Sequence, residues 1–170
     1  MRTLVLVTAL LLVPACREET AAVPEPVRMT DEALGHYCQM IVVDHPGPKA
    51  QVHLAGLAEP LFFSQVRDAI AFLRMPEQER AVTTVYVSDM GAAAGWEQPG
   101  IDNWIPADAA FFLVGSDLTG GMGAPETVPY ASVEVAAQAA ARHGGTVMRL
   151  DTIPTEMVLA PIDILTMGDH

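Results

Sequence analysis

The 170-residue chain is short of basic residues, of thiols and of long apolar runs, and each shortage excludes something. Nine Lys+Arg stand against 21 Asp+Glu, Lys49 is the only lysine, and the formal net charge is −12. A surface of that sign repels phosphate backbones, which removes nucleic acid from the expected partners and suits a cation or a basic protein better. Only two cysteines are present, Cys16 and Cys38. The longest apolar stretch runs from Leu4 to Val13 with Thr8 inside it. At about ten residues it is half the ~20 needed to cross a bilayer.

That stretch has another reading. Arg2 supplies a positive flank, and Leu12-Val13-Pro14-Ala15-Cys16 follows, the order of a signal for export. The last five residues resemble a lipoprotein cleavage box, although Pro14 is an uncommon residue there. Residues 1–15 are therefore expected to be a signal peptide and Cys16 a lipidated N-terminus anchored in a membrane and facing the periplasm. Once the leader is removed, eight basic residues remain against 21 acidic ones, a charge of −13. Residues 16–34, with Pro24 and Pro26, read as a flexible tether. If Cys16 carries lipid, Cys38 is the sole thiol and no internal disulfide forms. A lone thiol in an oxidising compartment is expected to be either buried or engaged by a metal.

Beyond the tether one pattern occurs twice. Gln39 to Val43 reads as a strand, Asp44-His45-Pro46-Gly47-Pro48 as a turn, and Ala50 to Leu54 as a second strand. Phe63 to Leu73 places Val66, Ala69, Ile70 and Leu73 at helical spacing, with Ser64 as N-cap and Pro76 as stop. Val82 to Val87 is β-branched and aromatic, hence a strand. In the second half, Ala110 to Val114 and Val128 to Ala131 read as strands, Ser132 caps a helix from Val133 to Arg142, Gly144-Gly145 ends it, and Thr146 to Leu150 closes the set. The expected fold is α+β, two ββαβ lobes in tandem at 35–90 and 104–153. A Gly/Ala/Pro-rich link at 91–103 joins them, and a structureless tail follows at 154–170.

The candidate chemistry centres on Cys38-Gln39-Met40. On an extended segment residues i and i+2 share a face, so thiol and thioether would sit side by side. His36 would join them if the strand began early. These are soft donors, which favour copper(I) over hard cations. Gly120-Gly121-Met122-Gly123 sets a second thioether in a glycine run that offers close approach but no apolar wall. One thiolate and two thioethers would make an open, three-coordinate site. Met90 ends a strand and reads as an interlobe contact more than a donor. His45 lies in the Pro/Gly turn, exposed and free to hold a second ion such as zinc. His53 alternates outward and is expected at the surface. Asp44 reads as a turn residue, Trp96 and Trp104 as packing around the link, and His143 as a cation at a helix C-terminus. Met167 and His170 fall in the tail.

Gly35-His36-Tyr37-Cys38-Gln39-Met40 and Asp44-His45-Pro46-Gly47-Pro48-Lys49-Ala50-Gln51 resemble the NosL family of nitrous oxide reductase accessory lipoproteins. Tyr86-Val87-Ser88-Asp89-Met90, Asn103-Trp104-Ile105-Pro106 and Gly120-Gly121-Met122-Gly123-Ala124-Pro125-Glu126 are similar to it as well. The resemblance implies a periplasm-facing copper(I) chaperone that serves apo nitrous oxide reductase or its copper-supply partners. It also implies a fold akin to the organomercurial lyase core, with Cys38, Met40 and Met122 as metal ligands. The family usually carries Gly where this chain has Gln39. An enzyme is not expected: cleaving a carbon–mercury bond needs more than one thiol, and no triad, phosphate loop or paired carboxylates stand out. The remaining alternative is a lipoprotein that docks a partner without carrying metal.

Overall fold

The computed structural model describes residues 22–161 except residue 78. The signal segment, Cys16, Met167 and His170 lie outside the described residues. Strand β1 (Ala50–Leu54) is buried along its whole length and central in a four-stranded antiparallel sheet. Its neighbours are β2 (Leu61–Phe63) on one edge and β3 (Val82–Ser88) on the other, and β4 (Trp104–Pro106) pairs with β3. Helix α1 (Val66–Arg74) links β2 to β3 and presents Val66, Ala69, Ile70 and Phe72 to the core. The second lobe repeats the plan. β5 (Phe111–Val114) lies between β6 (Val128–Tyr130) and β7 (Thr146–Met148), with α2 (Val133–His143) connecting the outer two. This is the expected ββαβ order in two lobes, with β2 as the hairpin partner of β1 in the first and with Trp104–Pro106, expected in the second lobe, on the edge of the first sheet.

Strand β5 joins the lobes because its side chains alternate between two cores. Phe112 and Val114 pack with β1 and α1 in the larger core. Leu113 packs with Val128, Tyr130, Ala136 and Ala139 in the smaller one. Helix ends follow local rules in one lobe and not in the other. Ser132 caps α2 as expected, its side chain accepting from the Val135 N–H. The expected cap Ser64 does not cap α1. The helix starts after Gln65, whose side chain makes no capping bond either.

Four further expectations are corrected. Gln39 to Val43 is not a strand, because both edges of β1 are taken by β2 and β3. The segment closes on itself instead, and Val42–Asp44 forms a 3₁₀ turn. The supposed tether is docked from Pro24 onward: the Val27 N–H donates to Gln51 Oε1 at 2.8 Å, Gln51 Nε2 donates to the Val27 carbonyl at 3.0 Å, and the Tyr86 hydroxyl donates to the Pro24 carbonyl at 2.8 Å. That strap covers the sheet face taken as solvent-facing, so His53 is buried, 2.9 Å from Gln51 Oε1 through Nε2 and edge-on to Tyr86. Past Pro154 a short helix α3 (Thr155–Leu159) buries Val158 against the larger core. Arg67 of α1 anchors it by donating to the carbonyls of Val158 and Ala160.

Candidate metal site

The Cys38 segment is a tight loop held by its own backbone. The Gly35 N–H donates to the Met40 carbonyl and the Gln39 N–H to the Gly35 carbonyl, both at 2.9 Å, and Leu34 pairs with Ile41 in an isolated bridge. Gln39 has φ 56°, the one positive value outside glycine among the described residues. A residue in that region reverses the chain, so the extended-strand reason for pairing Cys38 with Met40 does not apply. The Cys38 thiol instead approaches the Met40 backbone carbonyl, at 4.0 Å. The Gln39 side chain stays in this geometry by donating Nε2 to the carbonyls of His36 at 2.8 Å and Gly35 at 3.3 Å. A Cβ on Gly35 would lie 2.4 Å from Cys38 Sγ, so a side chain there would displace the thiol.

Cys38 is partly buried, and its Sγ lies 3.6 Å from the Ser64 hydroxyl. Met40 is 43% exposed, so its thioether is not core filler. Met122 is equally exposed, at 43%, and its backbone N–H donates to Gln65 Oε1 at 2.9 Å. Ser64 and Gln65 are consecutive, so the loop of Cys38 and the loop of Met122 meet on one dipeptide at the start of α1. The glycines beside Met122 permit this approach. A Cβ on Gly121 would meet His45 Cβ at 2.6 Å, and one on Gly120 would meet Glu126 Oε2 at 2.5 Å and Gln65 Oε1 at 2.6 Å.

The platform beneath this junction is polar and buried. Glu126 reaches from the second lobe and accepts from the N–H groups of Arg67 and Thr127, at 2.9 and 2.8 Å. Burial pushes its carboxyl up to about 8. Lys49 is fully buried and donates Nζ to the carbonyls of Pro46 at 3.0 Å and Gly47 at 2.5 Å. Burial pulls its ammonium down to about 8, against the opposing pull of Glu126 and Glu97. Lys49 thereby fixes the turn on which Gly121 rests. Sequence reading missed Gln65, Glu126 and Lys49 as parts of the site. The single lysine beside a Pro/Gly turn was the one available signal, because both other contacts cross between the lobes.

The remaining candidates, His45 apart, make their contacts elsewhere. His36 packs its ring against Tyr37, Phe63 and Phe72, with centroids 5.2 to 5.5 Å apart. Met90 packs with Trp96 against the smaller core and donates its N–H to the Pro129 carbonyl. His143 Nδ1 lies 2.9 Å from Asp117 Oδ1 at the end of α2. Asp44 is exposed on its 3₁₀ turn. His45 is not exposed as expected: it is half-buried under the Met122 loop, and its Nε2 is buried with no hydrogen-bond partner among the described residues. Among the described residues no three His, Cys, Asp or Glu side chains gather as a metal site. The loops near this junction carry a thiol on Cys38 and exposed thioethers on Met40 and Met122, side-chain types that suit a soft monovalent cation better than a hard one.

A family model described as NosL matches residues 26–158. The chain belongs to the NosL family. It is 53% identical over 164 residues to the copper-binding lipoprotein NosL of Achromobacter cycloclastes, covering 96% of this chain and 85% of that one. It is 34% identical over 155 residues to the copper-binding lipoprotein NosL of Stutzerimonas stutzeri, covering 91% and 79%. The crystal structure of the copper chaperone NosL from Shewanella denitrificans superposes with a TM-score of 0.71 at 30% identity, covering 76% of this chain and 95% of that chain. The solution NMR structure of apo-NosL from Achromobacter cycloclastes superposes with a TM-score of 0.51 at 54% identity, covering 68% and 92%. The two antiparallel sheets with their helices are thus a NosL fold.

Proposed function

We propose that this chain binds one copper(I) ion through Cys38, Met40 and Met122 and passes it to a copper-requiring acceptor, apo nitrous oxide reductase or a protein that supplies it. Relatives named as copper-binding lipoproteins and a copper chaperone support the cargo. The observation that carries the assignment to these residues is the meeting of the Cys38 and Met122 loops on Ser64 and Gln65. Transfer needs no bond-making chemistry beyond ligand exchange, in which acceptor donors replace the thioethers one at a time. Binding displaces the thiol proton of Cys38, so uptake is pH-dependent. The lipoprotein names also support an exported protein held at a membrane, and the leader-like segment ending at Cys16 is the reason to place the anchor there, with the chain facing the periplasm. His45, with its unpartnered buried nitrogen, is the residue to which a second ion such as zinc would be assigned.

The test is an anaerobic copper(I) titration against a chromogenic chelator with the wild type, Cys38→Ala and Met122→Ala. One tight equivalent is expected, lost in Cys38→Ala and weakened in Met122→Ala. Equal binding in all three proteins rules out these ligands. No binding in the wild type moves the assignment to a lipoprotein that docks its partner without metal.

A further inference from the structure

Gln65 is 2% exposed and stands where a helix normally carries a capping side chain, yet its side chain accepts no backbone N–H of its own helix. Its carboxamide is divided between the lobes: Oε1 accepts the Met122 N–H of the second lobe at 2.9 Å, and Nε2 donates to Asp68 Oδ2 of α1 at 3.2 Å. The cap it leaves unmade is supplied from the other lobe by Glu126, which accepts the Arg67 N–H. The loop around Met122 is otherwise closed on itself. The Gly120 N–H donates to the Ala124 carbonyl and the Gly123 N–H to the Gly120 carbonyl, both at 2.8 Å, and Thr119 bridges Pro125. The Met122 N–H is the amide that leaves this closed loop for the first lobe. Where a Cβ of Gly120 would sit, Gln65 Oε1 and Glu126 Oε2 are already within 2.6 Å.

The geometry points to Gln65 as a positioning residue that holds the Met122 thioether in register with Cys38, with Gly120 required bare so that the contact can form. Gln65 touches no metal. It sets where one donor stands relative to another, and its neighbour Ser64 touches the thiol itself. The inference deepens the copper(I) reading and rests on it for its functional consequence. The positional claim is testable without metal.

Two measurements on the purified full chain test it. The first is amide hydrogen exchange in metal-free protein. In Gln65→Ala the Met122 amide exchanges at least about tenfold faster, while the Gly120 and Gly123 amides keep wild-type protection. Gly120→Ala, which displaces the carboxamide from outside, has the same signature and serves where Gln65→Ala does not fold. The second is copper(I) affinity by chelator competition, expected to fall about 10- to 100-fold in Gln65→Ala, the range for residues that orient metal ligands. In a Met122→Ala background the same substitution adds little, because the donor it positions is already gone. A Met122 amide unchanged in both variants overturns the proposal. So does an affinity loss that is additive with Met122→Ala, which would mark Gln65 as a general contributor to the fold. If the wild type binds no copper(I), the copper reading fails, while the exchange result still decides the positional claim.

Discussion

The two lobes share one topology and differ in how they are held. In each, a central strand is flanked by its hairpin partner and by the strand that follows the helix: β2-β1-β3 in the first lobe, β6-β5-β7 in the second. Six of the nine residues of α1 are buried, including Arg67, whereas only Ala136 and Ala139 are buried in the longer α2. Helix α2 is capped by its own Ser132, while α1 is capped by Glu126 from the other lobe. The proposed ligands do not occupy equivalent places either: Cys38 precedes the first strand of its lobe, and Met122 lies in the hairpin loop between β5 and β6. A repeated fold therefore carries a site that does not repeat, and the contacts tying it together cross between the copies.

The largest expected effect concerns the pH dependence of that cross-lobe cap. The Glu126 carboxyl is raised from 4.5 to about 8 by burial. Between those values the folded chain keeps a proton that the unfolded chain has released. Its contribution is complete below pH 4.5 and is lost as pH climbs to about 8, up to roughly 5 kcal/mol. Lys49, lowered from 10.5 to about 8, acts in the next window with the opposite sign. There the unfolded chain holds the extra proton, so stability recovers from about pH 8 toward 10.5. Urea unfolding across this range is expected to show a minimum near pH 8. Glu126→Gln, which mimics the protonated acid, should remove the falling limb and leave the rising one.

Removing the cap altogether is the next test. Glu126→Ala strands the N–H groups of Arg67 and Thr127 in a buried setting, at a cost of about 2–4 kcal/mol near pH 5, where the acid is protonated. The loss should shrink toward pH 8, where the wild type is itself penalised by a buried charge. A pH-independent loss would show that the carboxyl state plays no part. By contrast, Ser132→Ala removes a local cap and should cost about 1 kcal/mol at any pH between 5 and 8. If both substitutions cost the same, the distinction between a local and a cross-lobe cap has no energetic weight.

The same distinction explains what could be read from the sequence. Helix α2, its Ser132 cap and its Gly144 stop are signals contained in one short stretch, Ser132 to Gly144, and they appear where expected. The alternation of β1 was legible, but its consequence was not. Gln51 and His53 occupy the face that looked outward, and the strap at Pro24 to Val27 that covers it comes from a segment whose composition resembles a tether. Cys38, Met40 and Met122 stood out by residue type and setting. Gln65 did not, because a glutamine before a helix looks ordinary until a loop 57 residues away places an N–H against it. Candidate ligands were legible from side-chain type, and the contacts that hold their loops are tertiary, with no local trace.

The smallest expected effect compares the two donor loops at the residue beside the thioether. Each loop has a left-handed residue there: Gly123 at φ 79° next to Met122, and Gln39 at φ 56° next to Met40. Glycine adopts this region freely, whereas another L-residue pays about 1 kcal/mol. Gln39→Gly should recover that amount. It also gives up the two bonds from Nε2 to the carbonyls of His36 and Gly35, partly solvated contacts worth about 0.5–1 kcal/mol in total. The terms nearly cancel, so the expected change in unfolding free energy is within about 0.5 kcal/mol. The side-chain bonds rigidify the Cys38 loop, however, and their loss should appear as faster exchange at the Gln39 and Met40 amides even where stability is unchanged. A stability loss above about 1 kcal/mol would mean that the carboxamide, and not the backbone bonds of Gly35 and Met40, holds the loop closed.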